Sequence, residues 1–295
     1  MAGSSVTAAA ASVTRWIQAQ SGRRAVGTFH LSRLIDKLLP PYAGEITLAN
    51  GLRFAVDPAA GMVERYLFYI GTWQTGLTYH LQKHTPRGAY CIDAGANIGF
   101  FTLMMMHWAG PEGRVASFEP NPATLERLRR NIGLNHFSQV EVVPKAVSQH
   151  NGTTSFILAT EPGFSTISPV INVTPMQTID VETISLDEYV AQQNWPRVDV
   201  IKMDVEGHDC QALLGARDII TRFKPVIAFE FVYSTDPAIA GATFELLTSS
   251  GYTLRRVVYR TGTRLGNLIE FDWKHQADEE ISIDIICFPP GTDIE

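Results

Sequence analysis

The chain has 295 residues, 45% of them apolar and 18% charged, with a net charge of −6. That is enough for one large domain, or one domain with an extension, and the acidic balance disfavours a nucleic-acid or anionic-membrane partner. Three widely spaced cysteines, Cys91, Cys210 and Cys287, suggest neither a disulfide framework nor a zinc cluster. No run approaches a membrane span and no secretory pattern opens the sequence, so the expectation is a cytoplasmic protein with no membrane span and no nucleic-acid partner.

Residues Met1 to Arg24 are rich in Ala, Ser and Thr and read as a mobile start. Leu31, Leu34, Ile35 and Leu38 at helical spacing end at Pro40-Pro41. A hairpin is expected over 45–56, turning at Asn50-Gly51, then short helices over 62–67 and 75–84. From Gly88 strands and helices alternate: strands at 89–93, 114–118, 140–143, 198–203 and 225–231, and helices at 100–108, after Asn121-Pro122, and at 210–223. Two further strands, 153–158 and 178–185, flank a loop, and 244–250, 252–259 and 281–288 complete the unit. Such alternation implies a largely parallel sheet with helices on both faces. The division is an N-terminal extension, 1–87, followed by a ligand-binding domain, 88–295.

The strongest local signal is Asp93-Ala94-Gly95-Ala96-Asn97-Ile98-Gly99, between an apolar strand and an apolar helix. Glycines there let backbone turn sharply and approach a ligand. Glu119 ends the next strand, about 20 residues on, where an acid can accept hydrogen bonds from both hydroxyls of a ribose. A dinucleotide site would show Gly-x-Gly-x-x-Gly around a pyrophosphate. This turn has only Gly95 and Gly99 and keeps an acid, Asp93, which suits a ligand carrying an amino group and a sulfonium. That points to S-adenosylmethionine.

At this point the sequence resembles the FkbM-type methyltransferases. Asp93 to Gly99 is similar to their cofactor loop and Glu119-Pro120-Asn121 to their ribose-binding segment. Residues Ile201 to Asp209 (IKMDVEGHD), followed by Leu214-Gly215-Ala216, resemble their most distinctive motif, and Lys224 to Glu230 the next strand. Ser185-Leu186-Asp187 and Gly71-Thr72-Trp73 are weaker matches, and Gln74 stands where the pattern has glutamate. The resemblance implies a Rossmann-like class I methyltransferase fold, with a seven-stranded, mostly parallel sheet whose last strand is reversed. It implies O-methylation of a hydroxyl on a sugar, glycolipid or secondary metabolite. Asp93, Gly95, Ala96, Asn97, Gly99, Glu119, Pro120 and Asn121 would bind the cofactor, with the backbone of Ala146 at the adenine edge.

A hydroxyl needs its proton removed during methyl transfer. Asp204, Glu206, His208 and Asp209 follow the fourth core strand and Glu230 lies at the end of the fifth, both at the ligand-binding edge. Two arrangements fit: His208 or a carboxylate as general base, or Asp204 and Glu230 holding Mg²⁺. The catalytic candidates are therefore Asp204, Glu206, His208 and Glu230. Against these stand structural readings, in which Glu206-Gly207-His208 caps the following helix and Glu230 pairs with Lys202. Ser165 and Thr166 are placed on a loop over the acceptor. The extension would cover the site or make a homo-oligomer contact. Two rivals, a nicotinamide-dependent oxidoreductase and an inactive cofactor-binding module, use the same type of sheet.

Overall fold

In the computed structural model, the structure describes residues 43–160, 165–167, 175–258, 267–273 and 281–294. The opening segment and the helix expected at Leu31 to Leu38 lie outside them. The hairpin forms as expected: β1 (Gly44–Thr47) pairs antiparallel with β2 (Arg53–Val56). The helices α1 (Met62–Tyr69) and α2 (Thr75–Lys83) follow.

The main sheet begins at β3 (Tyr90–Ala94). The helix α3 (Phe100–Ala109) has all but one residue buried and stops at Gly110, φ 75°. Then come β4 (Arg114–Phe118) and α4 (Pro122–Leu134), which the Asn121 side chain caps by accepting from Ala123 N at 3.1 Å. The strand β5 (Val140–Val143) ends this half. A small sheet follows, built from β6 (Ala146–Val147), β7 (Gly152–Ala159) and β8 (Pro175–Ile184). Next is α5 (Leu186–Gln192), a helix the apolar pattern does not announce, with Ser185 as its cap.

The second half runs through β9 (Val200–Met203), α6 (Asp209–Leu214), α7 (Arg217–Arg222) and β10 (Val226–Val232). After these come α8 (Pro237–Ser249), β11 (Thr253–Val258), β12 (Asn267–Glu270) and β13 (Ser282–Phe288). The single helix expected over 210–223 is two. It breaks at Gly215, where a Cβ would lie 2.4 Å from the Ser148 carbonyl oxygen. The Asp187 carboxylate then caps α7, accepting from Asp218 N and Ile219 N at 2.9 Å each.

The strand order is β12-β11-β13-β10-β9-β3-β4-β5. The five strands from β10 to β5 run parallel and β13 is reversed, as expected, with β12 adding an eighth strand at the edge. Alternate residues face opposite ways. Cys91, Val115, Val200 and Ala228 pack under α1 to α4, while Ile92, Ala116, Ile201 and Ile227 pack under α5 to α8. Phe54 and Leu67 belong to the first of these cores, so residues 44–83 are built into the same body as the sheet. The chain leaves β3 for β4 on one side and returns to β9 on the other. This is the switch point at which such sheets open a crevice at their carboxyl edge.

Candidate active site

A cavity of about 1000 Å³, its open mouth included, occupies that crevice. Its first half is built largely from backbone. Gly95 N and Ala96 N both donate to the Phe118 carbonyl, at 3.0 and 2.9 Å, which ties the loop to the end of β4. Asn97 N donates to Glu119 Oε2 and Asn121 N to Glu119 Oε1, each at 2.9 Å. Each carboxylate oxygen keeps acceptor capacity for one more donor, as two ribose hydroxyls would require. Burial pushes the Glu119 carboxyl up to about 7, against the two backbone N–H groups that lower it.

The glycines of the loop serve its packing. A Cβ on Gly95, φ 75°, would lie 1.9 Å from the Asp204 carbonyl oxygen, and one on Gly99, φ 93°, 2.6 Å from Leu128 Cδ1. Gly95 therefore brings two strand ends together, where the sequence suggested room for a ligand. Of the expected cofactor residues, Gly95, Ala96, Asn97, Glu119, Pro120 and Ala146 line the cavity. Gly99, Asn121 and Asp93 stand behind them. Asp93 is fully buried, accepts from Thr102 Oγ1 at 2.6 Å and lies 3.9 Å from Lys202 Nζ.

The second half is built from charged side chains. Asp204 and Glu206 line the cavity. Lys202 lines it too, with its Nζ 3.4 Å from Asp204 Oδ2 and 5.1 Å from the Phe101 ring centre. Burial, then the charges of Asp204 and Glu230, hold the Glu206 carboxyl well above the usual carboxylate range. Glu230 is raised to about 7 by burial and by Asp204, and accepts from Ser282 Oγ at 2.7 Å. Glu230 is set back from the cavity lining, and the Lys202 ammonium that the sequence offered it lies against Asp204 and Asp93.

His208 corrects a second expectation. It is buried, its Nε2 is 3.0 Å from Ser148 Oγ, and burial lowers its pKa to about 4. It does not line the cavity. Nor does the Glu206-Gly207-His208 turn cap by side chain: His208 is the N-cap residue of α6 and makes no side-chain cap bond.

The Mg²⁺ arrangement is not supported. The Lys202 ammonium already lies 3.4 Å from Asp204 Oδ2, and Glu230 accepts from Ser282. Among the described residues no group of three or more His, Cys, Asp or Glu side chains is arranged to hold an ion.

Ser165 lines the cavity, while Thr166 ties its loop down by donating to the Glu206 carbonyl at 2.8 Å. Lining residues not anticipated include Met62, Val63, Phe101, Lys145 and Phe156. Trp73, from the weak upstream match, also lines it, held edge-on by Tyr66 at 5.3 Å. Gln74 follows with φ 39° and donates from Nε2 to Asp284 Oδ1 at 3.5 Å.

A family model described as the methyltransferase FkbM domain matches residues 93–259. Among curated proteins, the hexuronic acid methyltransferase AglP of Haloferax volcanii is 31% identical over 147 residues, covering 49% of this chain and 56% of its own. Methyltransferase 1 of Beauveria bassiana is 28% identical over 45% of this chain and 60% of its own, and the 2-O-methyltransferase NoeI of Sinorhizobium fredii 27% over 49% and 63%. The chain thus spans less than two thirds of the length of these relatives. The crystal structure of the FkbM methyltransferase from Methylobacillus flagellatus KT aligns with 78% of this chain and 56% of that one, at 17% identity and a TM-score of 0.44.

Proposed function

The chain belongs to the FkbM methyltransferase family, and from that premise we propose that it transfers a methyl group from S-adenosylmethionine to a hydroxyl of a small-molecule or glycan acceptor. The observation that carries this reading is one cavity lined both by the Gly95 to Asn97 loop with Glu119 and by Asp204 with Glu206. Glu119 would hold the ribose, the loop backbone the rest of the nucleoside, and Ala146 the adenine edge. When bound, S-adenosylmethionine supplies an electrophilic methyl group. The protein's part is then alignment and removal of one proton.

Asp204 would take that proton from the acceptor hydroxyl, a reading supported by its place in the cavity lining, which His208 and Glu230 do not share. Glu206, its carboxyl raised by burial and by the charges of Asp204 and Glu230, stands on the same wall. The names of AglP and NoeI, a hexuronic acid and a 2-O-methyltransferase, favour a sugar hydroxyl. Among the described residues no helix is long and apolar enough to cross a membrane. Residues 1–87 contribute Met62, Val63 and Trp73 to the wall and would shape the acceptor side.

The test is calorimetric titration with S-adenosylmethionine and S-adenosylhomocysteine, then labelled-methyl transfer to a panel of hydroxylated acceptors with and without EDTA. Micromolar binding and EDTA-insensitive transfer to oxygen are expected. Folded protein that binds neither ligand would overturn the reading.

A further inference from the structure

Every residue of β9 is buried, yet the strand reads Val-Ile-Lys-Met. A lysine in the middle of a parallel sheet is costly unless it is paired, and sheet packing alone does not call for one. Lys202 lies in register between Asp93 on β3 and Ala228 on β10, its side chain only 5% exposed. Behind it the contacts continue inward. Asp93 Oδ2 accepts from Thr102 Oγ1 at 2.6 Å, and Thr102 Oγ1 is 2.9 Å from Ser117 Oγ. In front of it stands Asp204. The line Ser117–Thr102–Asp93–Lys202–Asp204 thus runs from the sheet interior to the cavity wall, and only its last two members reach the cavity.

Resting on the function proposed above, we propose that Lys202 is a positioning residue for methyl transfer: braced from behind by Asp93, its ammonium fixes the Asp204 carboxylate at the cavity wall and balances its charge. Lys202 takes no proton itself. Burial works against its charged form, but Asp204, Asp93 and Asp209 outweigh burial and hold its pKa above the ordinary lysine value.

The charges around it come from every neighbouring strand. Asp93 lies on β3, Glu119 at the end of β4, Asp204, Glu206 and Asp209 around the turn after β9, and Glu230 on β10 with Asp284 of β13 beyond it. The Lys202 charge lowers the pKa of Glu119, Glu206 and Glu230. Removing that charge lets all three carboxyls rise. Activity that depends on this acidic wall then fails at a higher pH.

The experiment compares wild type with Lys202→Met, Lys202→Arg and Asp93→Asn, using S-adenosylhomocysteine titration and kcat and KM for an acceptor from the panel across pH. Lys202→Met is expected to lose about 100-fold in kcat while S-adenosylhomocysteine affinity, measured at about pH 9 where Glu119 stays ionised, remains within about three-fold. Its acid limb moves to higher pH, Lys202→Arg recovers part of the rate, and Asp93→Asn falls between. Two results overturn the proposal. In one, affinity collapses while kcat at saturation survives, which makes Lys202 a cofactor ligand. In the other, kcat falls with no movement of the acid limb and no recovery by arginine, which makes it structural. Should Lys202→Met not fold, Asp93→Asn decides: wild-type kcat and pH profile overturn the proposal, and a reduced kcat with a raised acid limb supports it. Wild-type protein that binds no S-adenosylhomocysteine fails at the parent reading, and this is told apart because it appears before any substitution.

Discussion

The two halves of the cavity hold their ligand-facing groups by different means. At the ends of β3 and β4 main-chain amides set the wall: those of Gly95 and Ala96 donate to the Phe118 carbonyl, and those of Asn97 and Asn121 orient the Glu119 carboxylate. At the ends of β9 and β10 the wall is Lys202, Asp204 and Glu206, with Glu230 behind, held mainly by charge and one hydroxyl. A ligand common to a whole family can be met by backbone, whose geometry does not depend on side-chain identity. Proton chemistry on a variable acceptor needs side chains whose charge can be set one residue at a time.

The substitution that should disturb both halves at once is Gly95→Val. Its Cβ would drive into the Asp204 carbonyl, at a φ that side chains avoid. A loss of several kcal/mol in stability is expected together with loss of S-adenosylhomocysteine binding. Thermal unfolding and titration check it, and an unchanged Tm would show that the strand ends can separate without cost. Asp204→Asn should separate the halves. We expect kcat to fall by roughly 100- to 10,000-fold with cofactor affinity near wild type, and full turnover would remove Asp204 from the mechanism.

The same contrast explains what the sequence could and could not disclose. The Asp93 to Gly99 turn and Glu119 were legible because strand, glycine turn, helix and strand-end acid are spaced along the chain as the sheet requires. Asp204 and Glu206 were legible as strand-end acids. His208 misled: in sequence it sits among those acids, but its side chain turns away to Ser148, a contact 60 residues distant. Lys202 carried a signal that was available, a charge inside an apolar strand, yet its partner could be named only once β3 and β9 were known to be adjacent. Trp73 and Met62 reach the cavity through tertiary packing of α1 and α2, which no local pattern encodes. The break at Gly215 likewise depends on the loop at Ser148, not on the helix's own residues.

A smaller effect tests the backbone half through pH. The Glu119 carboxyl, raised to about 7 by burial, would accept fully from the hydroxyls of a bound cofactor only when ionised. Affinity for S-adenosylhomocysteine should therefore weaken as pH falls through 7, approaching about ten-fold per pH unit below it. Because the folded value lies above the unfolded one, the same group's contribution favours folding at low pH and is lost as pH rises through about 7. Glu119→Gln should flatten this part of both profiles and weaken binding about ten-fold at pH 8. A binding profile that keeps its slope in the variant would place the titrating group elsewhere.

The smallest expected effect distinguishes the side-chain half from the residue next to it. His208, neutral down to about pH 4, spans Ser148 and the start of α6 without lining the cavity. His208→Gln keeps a polar group near Ser148, so turnover should stay within about five-fold of wild type and the pH profile should not move between about pH 5 and 8. Loss of the rate with cofactor binding intact would mean that the histidine swings into the cavity when the acceptor binds. The base would then be shared across the β9–α6 turn, and the division between a backbone-built cofactor half and a carboxylate-built chemical half would have to be redrawn around that turn.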